Sequence, residues 1–307
     1  MIVKNFLFHR VSDETDLLWP PMPAALFQSL IAFISSRYQV VSLENDISTG
    51  YFKKNGKAPA TILFDDGYKD NIEFAVPILK QYKCPASFYV VTDCINENIP
   101  TWTYAVDYLL QHTRIQELIL DMDFVPSSLR VIECKNELQR IKAGGIIKPW
   151  MKGLSNEKRQ LVFNHLRNIF TDVDLPRDKM MSWKDLQQME SAGFYIGSHS
   201  LTHPLLASIK EEDELLLELR ESAKQIQINV GKFPVTISYP VGSYNDSVIS
   251  CAKQAGYKMG LAVEQRFYDT EKDDIFAIPR VELYNEPMWK CKLRISGIYN
   301  WLKRRIQ

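Results

Sequence analysis

A run of apolar residues ends abruptly in two adjacent acids, in the segment Thr61-Ile62-Leu63-Phe64-Asp65-Asp66-Gly67. The apolar, β-branched residues predict a buried strand, which places the two carboxylates at the mouth of a sheet. Successive side chains of a strand point to opposite faces, so the two acids need a sharp turn in order to converge, and Gly67 permits one. Adjacent acids at a strand end are costly unless a cation or a proton-transfer role compensates them.

Two of the five histidines stand four residues apart, at His199 and His203. On one helical turn, residues i and i+4 lie on the same face. The preceding residues 193–198 read as a short strand bounded by glycines, and α/β barrels place their chemistry at the carboxyl ends of strands. Two imidazoles and one carboxylate are a common ligand set for a catalytic Zn²⁺ with an open position. The sequence therefore predicts one divalent metal ion, with Zn²⁺ favoured, as the cofactor.

A third segment, residues 237–245, repeats the pattern of a strand, a loop and a helix start. The loop carries Pro240, Val241 and Gly242, and Asn245 is placed to cap the helix that follows. Loops of this kind present backbone N–H groups to ligands.

Together the three segments resemble the polysaccharide deacetylase superfamily, also called the NodB-homology group or carbohydrate esterase family 4. The family's Thr-Phe-Asp-Asp-Gly motif appears here as residues 63–67, its His-(Ser/Thr)-x-x-His motif as residues 199–203, and its Tyr-Pro-x-Gly motif as residues 239–242. The order and the spacing also match, and the resemblance covers most of the chain except residues 105–181. Any one motif is weak evidence, whereas three in order, each after a strand, are specific.

The resemblance implies a fold and a chemistry. The fold is α/β, a distorted (β/α)7 barrel with a helical insertion, and the alternation of predicted strands and helices agrees with it. The reaction is metal-dependent hydrolysis of the amide of an N-acetyl sugar. Asp66, His199 and His203 would hold the ion, Asp65 would be the general base, and the N–H of Val241 would stabilise the oxyanion.

One departure from the family pattern concerns the partner of the base. Many relatives begin the third motif with an arginine that pairs with the base, but Ser238 and Tyr239 occupy that region here. Residues 278–281 read as a late strand whose end approaches the first motif across a closed barrel. Arg280 is therefore predicted to orient Asp65; the alternative is an ordinary surface arginine.

A second departure concerns the general acid, because no histidine follows Gly242. His112 and His165 lie in the insert, and His199 and His203 are assigned to the metal. His9, at the end of the first predicted strand, is therefore the candidate, since a leaving amine must be protonated. Relatives that open with a similar Tyr-His-x-Val strand use this histidine; the alternative is a residue that only packs or caps.

The chain divides into three parts by pattern. Residues 1–287 form the barrel, with an insert at about residues 105–181 that breaks the strand–helix rhythm and reads as helical. Residues 288–307 read as a basic amphipathic helix bearing Trp289 and Trp301. Such a helix can lie on a membrane surface, whereas the favoured alternative is a helix packed on the barrel.

Composition narrows the partners. Lysine plus arginine equals aspartate plus glutamate at 37 each, so bulk electrostatics favours neither nucleic acid nor an anionic surface. The five cysteines form no Cys-x-x-Cys pair and are predicted to be free thiols. Without a recognisable signal peptide, a cytoplasmic location is expected, with a possible peripheral contact at the inner face of the membrane through the C-terminal helix.

The expected substrate is an N-acetylated sugar in surface-polysaccharide biosynthesis, carried on a nucleotide, on a lipid or in a polymer. Tyr239, Tyr244 and Trp102 are candidates to stack on sugar rings, although each is equally plausible as a packing residue. Two other functions stay open: a deformylase or amidase acting on another amide, and a catalytically silent barrel that binds carbohydrate.

Overall fold

A computed structural model describes residues 1–50 and 56–298 of the 307-residue chain. The strands are Ile2–Phe8 (β1), Gln39–Val40 (β2), Pro59–Phe64 (β3), Ser87–Val90 (β4), Glu117–Ile119 (β5), Val131–Glu133 (β6), Tyr195–Ser198 (β7), Thr236–Ser238 (β8), Met259–Leu261 (β9), Tyr268–Asp269 (β10) and Val281–Glu282 (β11). The α-helices are Ala24–Arg37 (α1), Val76–Gln81 (α2), Thr92–Glu97 (α3), Trp102–His112 (α4), Glu137–Lys152 (α5), Asn156–Ile169 (α6), Trp183–Ser191 (α7), Glu212–Val230 (α8), Asp246–Gln254 (α9) and Met288–Ser296 (α10). Single π-helical turns span Leu43–Ile47 and Asn71–Ala75, and short 3₁₀ turns span Ser127–Leu129, Leu206–Ser208 and Pro240–Gly242.

The main sheet is parallel and curls towards closure. Strands β1, β3, β4, β7, β8 and β9 are successive parallel neighbours. The last segment closes the ring, because Ile278 bridges Leu261 of β9 and β11 pairs with β1 in parallel. The predicted (β/α)7 barrel is confirmed, with the carboxyl ends of its strands at one rim.

Apolar strand residues explain why the barrel forms. Strand β3 is buried along its whole length, and stacked phenylalanines of β1, β3 and β4 join it to helix α1. A strand buried on both faces reads as a continuous apolar run rather than as an alternation. Such a strand can end in two acids only where the chain leaves the core, which fixes Asp65 at the rim.

Residues 102–175 form a separate apolar cluster beside the barrel rim. The insert was predicted to be helical, but it also contains the antiparallel pair β5–β6. The short strands escaped the sequence analysis because their outward residues Ile119 and Val131 are apolar and exposed, which hides the usual alternation. Gly144 of α5 lies against Leu18 and α4: a Cβ there would lie 2.8 Å from Leu18 Cδ2 and 3.4 Å from Asp107 Oδ1.

The predicted C-terminal helix, residues 288–307, contains a break within its described part. Helix α10 ends at Ser296, because Gly297 adopts φ +85° and caps it. Cys291 and Ile295 pack into the barrel's core cluster, while Trp289 is 64% exposed. Residues 299–307, which include Trp301, lie outside the described residues, so peripheral contact with a membrane stays a prediction. No described helix combines the length and the apolar character that crossing a bilayer requires.

A buried acid near the amino ends of the strands gives a test of the barrel's stability. Glu44 accepts hydrogen bonds from the hydroxyls of Ser87 and Tyr89, each at 2.6 Å. Burial raises the pKa of Glu44, although these hydroxyls oppose the rise. A carboxyl whose pKa is higher in the folded state destabilises the fold progressively as the pH rises from its unfolded pKa through its folded pKa.

Glu44→Gln, which cannot ionise, is therefore expected to gain stability relative to the wild type between pH 5 and pH 8, by on the order of 1 kcal/mol. Urea unfolding at both pH values measures the difference. A difference that stays constant, or that reverses, contradicts this account of Glu44.

Candidate metal centre and active site

The turn after β3 brings two adjacent carboxylates to one cavity. Asp66 and Gly67 adopt φ +75° and +88°, and the N–H of Gly67 donates to the carbonyl of Asp65 at 3.0 Å. A Cβ at residue 67 would lie 3.0 Å from Val90 Cγ1, so only glycine fits without strain. In a continuous strand the side chains of Asp65 and Asp66 would point to opposite faces of the sheet. The left-handed turn at Asp66 and Gly67 brings both to the same cavity.

The two predicted histidine ligands converge through a loop rather than a helix. His199 follows β7 and its N–H donates to the carbonyl of Val90 at 2.9 Å. Ser200 and His203 adopt φ +69° and +62°, values that a right-handed helix does not contain. The two histidines therefore do not share a helical face, and that part of the prediction was wrong. Their rings are nevertheless adjacent, with centroids 5.0 Å apart.

A buried glutamate that the sequence analysis missed holds this loop. Glu218 of α8 accepts hydrogen bonds from the N–H groups of Leu201 and Thr202 at 3.1 and 3.0 Å, and from the Thr202 hydroxyl at 2.5 Å. Nothing in the sequence marked it, because α8 carries many acids at helical spacing. Its three contacts fix the loop between the two histidines.

The three predicted metal ligands lie together. His199 Nε2 and His203 Nε2 each lie 3.3 Å from the same atom, Asp66 Oδ1, and all three side chains are buried. His199 Nδ1 lies 2.8 Å from the carbonyl of Ser238. A neutral imidazole that donates from Nδ1 to this carbonyl turns the Nε2 lone pair towards Asp66.

The donor set fits a divalent cation. Burial lowers the pKa of both imidazoles, but the nearby charge of Asp65 raises the pKa of His199 overall, while His203 stays below its ordinary value. The pKa of Asp66 lies well below its usual range, because hydrogen bonds from both histidines outweigh burial. Two imidazoles and one carboxylate form a ligand set that suits Zn²⁺ and similar ions.

The arginine predicted to orient the base contacts it directly. Arg280 Nη1 and Nη2 donate to Asp65 Oδ1 and Oδ2 at 2.8 and 2.9 Å, and Arg280 Nε donates to the carbonyl of Ala262 at 3.0 Å. The Ser238 hydroxyl donates to Asp65 Oδ2 at 3.0 Å. Arg280 is fully buried, which excludes the alternative of a surface arginine. Its role in catalysis stays a prediction.

Arg280 also determines the ionisation of Asp65. Burial by itself raises the pKa of this carboxyl, but the charges of Arg280 and His199 and the hydrogen bonds from Arg280 outweigh burial, so the pKa lies below its ordinary value. Asp65 is therefore a carboxylate near neutral pH, which is the state a general base requires.

Asp65 and the three predicted metal ligands line a cavity of about 210 Å³ at the carboxyl rim of the barrel. Val241, the predicted oxyanion donor, also lines it, with φ +57° and an exposed fraction of 40%. In the part of the chain that is described, its N–H has no hydrogen-bond partner. The group is thus available to a ligand in the cavity.

His9 stands on the same cavity wall. His9 Nδ1 lies 3.4 Å from Glu282 Oε1, and its ring meets the edge of Trp19 at 5.8 Å between centroids. The side chain is 22% exposed. The contact with Glu282 therefore holds the His9 ring on the cavity wall.

Two of the three predicted sugar-stacking residues are placed elsewhere. Tyr239 is fully buried and its hydroxyl donates to the carbonyl of Phe276, so the prediction for Tyr239 was wrong. Tyr244 is half-buried, stacks on Tyr239 and does not line the metal cavity. Contact of Tyr244 with substrate stays a prediction.

Trp102 lies beside the metal site rather than in it. Its indole Nε1 donates to the carbonyl of His203 at 3.0 Å, and it lines a neighbouring groove that shares His203 with the metal cavity. Contact with substrate at Trp102 stays a prediction.

The sequence matches a family model described as polysaccharide deacetylase over residues 52–260. This match covers more than half of the chain, and the protein belongs to the polysaccharide deacetylase family. Among curated proteins it is similar to a poly-beta-1,6-N-acetyl-D-glucosamine N-deacetylase of Staphylococcus aureus, with 23% identity over 97% of this chain and 74% of that protein.

Solved structures agree on the fold. A Streptococcus pyogenes deacetylase, PplD, in complex with acetate, has a TM-score of 0.63 at 14% identity and covers 96% of this chain and 98% of that one. IcaB from Ammonifex degensii has a TM-score of 0.62 at 14% identity and covers 96% of both chains. Both comparisons extend over nearly the whole chain.

Proposed function

We propose that this protein removes the acetyl group from an N-acetylated sugar of a surface polysaccharide, by metal-dependent hydrolysis of the amide. The observation that carries the proposal is the cavity in which an ion-pair-held carboxylate, Asp65, stands beside the ligand set Asp66, His199 and His203. A bound divalent ion, with Zn²⁺ favoured, would acidify water and polarise the amide carbonyl.

The chain's own residues supply the remaining chemistry. Asp65 is placed to take a proton from the attacking water, since it is buried, ionised and held in a fixed orientation. The free N–H of Val241 is suited to the negative oxygen that develops on the former carbonyl. His9, paired with Glu282, is suited to give a proton to the leaving amine.

Polymeric N-acetylglucosamine is the substrate class that we propose to test first. The Staphylococcus aureus relative is named for this polymer. The metal cavity also adjoins a second groove, and His203 lines both. A cytoplasmic location, with nucleotide-linked or lipid-linked sugars as substrates, is the second form of the proposal.

Acetate release tests the activity. The full-length protein, treated with chelator and then reloaded with Zn²⁺, is incubated with N-acetylglucosamine oligomers, with nucleotide-linked and lipid-linked N-acetyl sugars, and with N-formyl and simple N-acetyl amides. Release of acetate from a sugar, lost with chelator and restored by metal, is the expected result. Preference for a non-sugar amide favours the amidase alternative, and binding of sugars without release favours the silent barrel.

His9→Ala is expected to lower turnover by about 100-fold, because the amine then leaves without a positioned proton donor. Its metal content should equal that of the wild type, since His9 is not in the ligand set. His112→Ala, which changes an exposed histidine of α4, is the matched control. Turnover within about threefold of the wild type in His9→Ala would remove His9 from the mechanism.

A further inference from the structure

The insert contributes one wall of the metal cavity, formed by Asp107 of α4 and by Lys148 and Lys152 of α5. Lys148 and Lys152 are four residues apart on one helix, so they share a face. Helix α5 lies in van der Waals contact with α4 at Gly144, and one turn later Lys148 donates to Asp107 Oδ2. Lys152, one turn further, reaches the cavity rim. We refer to these three residues as the insert wall.

The insert wall has two unused polar groups. Asp107 is 1% exposed, and its Oδ1 is buried without a hydrogen-bond partner among the described residues. Lys152 is exposed at the rim and makes no ion pair in the described ranges 1–50 and 56–298. Each is costly as it stands, since a buried carboxylate oxygen needs a donor and two neighbouring ammonium groups repel each other.

The other acidic side chains of the cavity have contacts of their own. Asp65 is paired with Arg280, Glu282 Oε1 lies 3.4 Å from His9 Nδ1, and Asp66 belongs to the predicted metal ligands. Lys148 is paired with Asp107. Among the described residues, Lys152 is therefore the lysine of this cavity that has no salt-bridge partner and remains for a ligand.

On the basis of the proposed function, we propose that the insert wall recognises a substrate that carries an anionic oxygen group next to the N-acetyl sugar. Lys152 would pair with the anionic oxygen, and Asp107 Oδ1 would accept a hydrogen bond from a sugar hydroxyl. The same chemistry has two sources: the carboxylate of a neighbouring uronic acid in a polymer, or the phosphate of a glycosyl diphosphate.

Direct binding tests the proposal without turnover. Chelator-treated full-length protein is titrated by calorimetry with three ligands: an N-acetylglucosamine disaccharide, N-acetylglucosamine linked to glucuronic acid, and uridine diphosphate N-acetylglucosamine. Lys152→Gln is compared with the wild type and with Lys142→Gln. Lys142 is an exposed lysine of the same helix, and it does not line the cavity, so its variant is a matched control.

Lys152→Gln should weaken binding of one or both anionic ligands by about tenfold, the effect of losing one charge-assisted hydrogen bond, and leave the neutral disaccharide unchanged. Loss for the glucuronate ligand alone identifies the polymer, and loss for the nucleotide sugar alone identifies the diphosphate. Equal dissociation constants for wild type and Lys152→Gln with all three ligands, or an equal loss for the neutral one, overturn the proposal.

Acetate release from the metal-loaded protein separates this inference from the proposed function. If no ligand releases acetate but Lys152→Gln still binds the anionic ligands more weakly than the wild type does, the deacetylase proposal is wrong and the proposed role of the insert wall is supported. If acetate is released and KM for anionic substrates does not change in Lys152→Gln, the proposed role of the insert wall is wrong and the deacetylase proposal is supported.

Discussion

Replacing His203 with alanine is expected to abolish tight binding of the divalent metal and to leave the barrel folded. The other two ligands, Asp66 and His199, cannot complete the set, so the affinity should fall by more than about 100-fold, beyond the loss typical of an outer-shell contact. Acetate release should fall with the metal content. His203 suits this test because its Nδ1 has no partner among the described residues, so its removal strands no buried group there.

Metal content by mass spectrometry and thermal unfolding are the two measurements. His203→Ala should unfold like the metal-free wild type, to within the roughly 1–3 kcal/mol that truncation of a buried side chain costs. His112→Ala should keep both its metal and its metal-dependent stabilisation. Full metal occupancy in the variant would show that the ion is held elsewhere.

The barrel was predictable from the sequence because its strands are buried on both faces. An apolar run such as residues 61–64 has few other uses, and β3 ends at Phe64, immediately before the two acids, as the pattern predicts. The β5–β6 pair was not predictable, since three-residue strands with apolar outward side chains carry no alternation. The break after α10 follows from Gly297, which the basic pattern of the tail obscured.

The residues of the site could be predicted where a chemically suitable side chain directly follows a predicted strand. The ligand set needs two imidazoles and an acid, and few histidines or acids in this chain follow strands. The geometry was less accessible: the histidines meet through left-handed residues at Ser200 and His203, a conformation that non-glycine residues seldom adopt. Side chains that only support the site, such as Glu218, carry no sequence signal, because an acid on a helix is ordinary until its neighbours are known.

The prediction for Tyr239 failed for a related reason. A tyrosine serves equally in a core and on a sugar ring, and the amino-acid sequence does not say which place it takes. In the structure Tyr239 is fully buried, while Val241, two residues later, has a left-handed conformation and lines the cavity. The residue of this loop that reaches the cavity is therefore Val241 rather than the tyrosine.

Arg280→Met is expected to impair both stability and turnover, because the buried Asp65 carboxylate then keeps the Ser238 hydroxyl as its one side-chain hydrogen-bond donor among the described residues. Breaking a buried ion pair by removing one partner costs about 3–5 kcal/mol. Turnover should fall by on the order of 100-fold, since a base that is not held in place rarely aligns with the attacking water. Arg280→Lys should recover part of both, because an ammonium keeps the charge but not the two-pronged contact.

The double variant Asp65→Asn/Arg280→Met distinguishes a positioning role from a structural one. If Arg280 acts through Asp65, its loss adds nothing to the turnover defect of Asp65→Asn, whereas a purely structural role adds its full effect. Stability should behave in the same way, because the double variant buries no unpaired carboxylate and should unfold at a higher urea concentration than Arg280→Met alone. Additive losses in turnover would mean that Arg280 has only a structural role in the barrel's core. A non-additive loss would mean that Arg280, directly before β11, takes the role of the arginine that begins the third motif in many relatives and is missing here before Pro240.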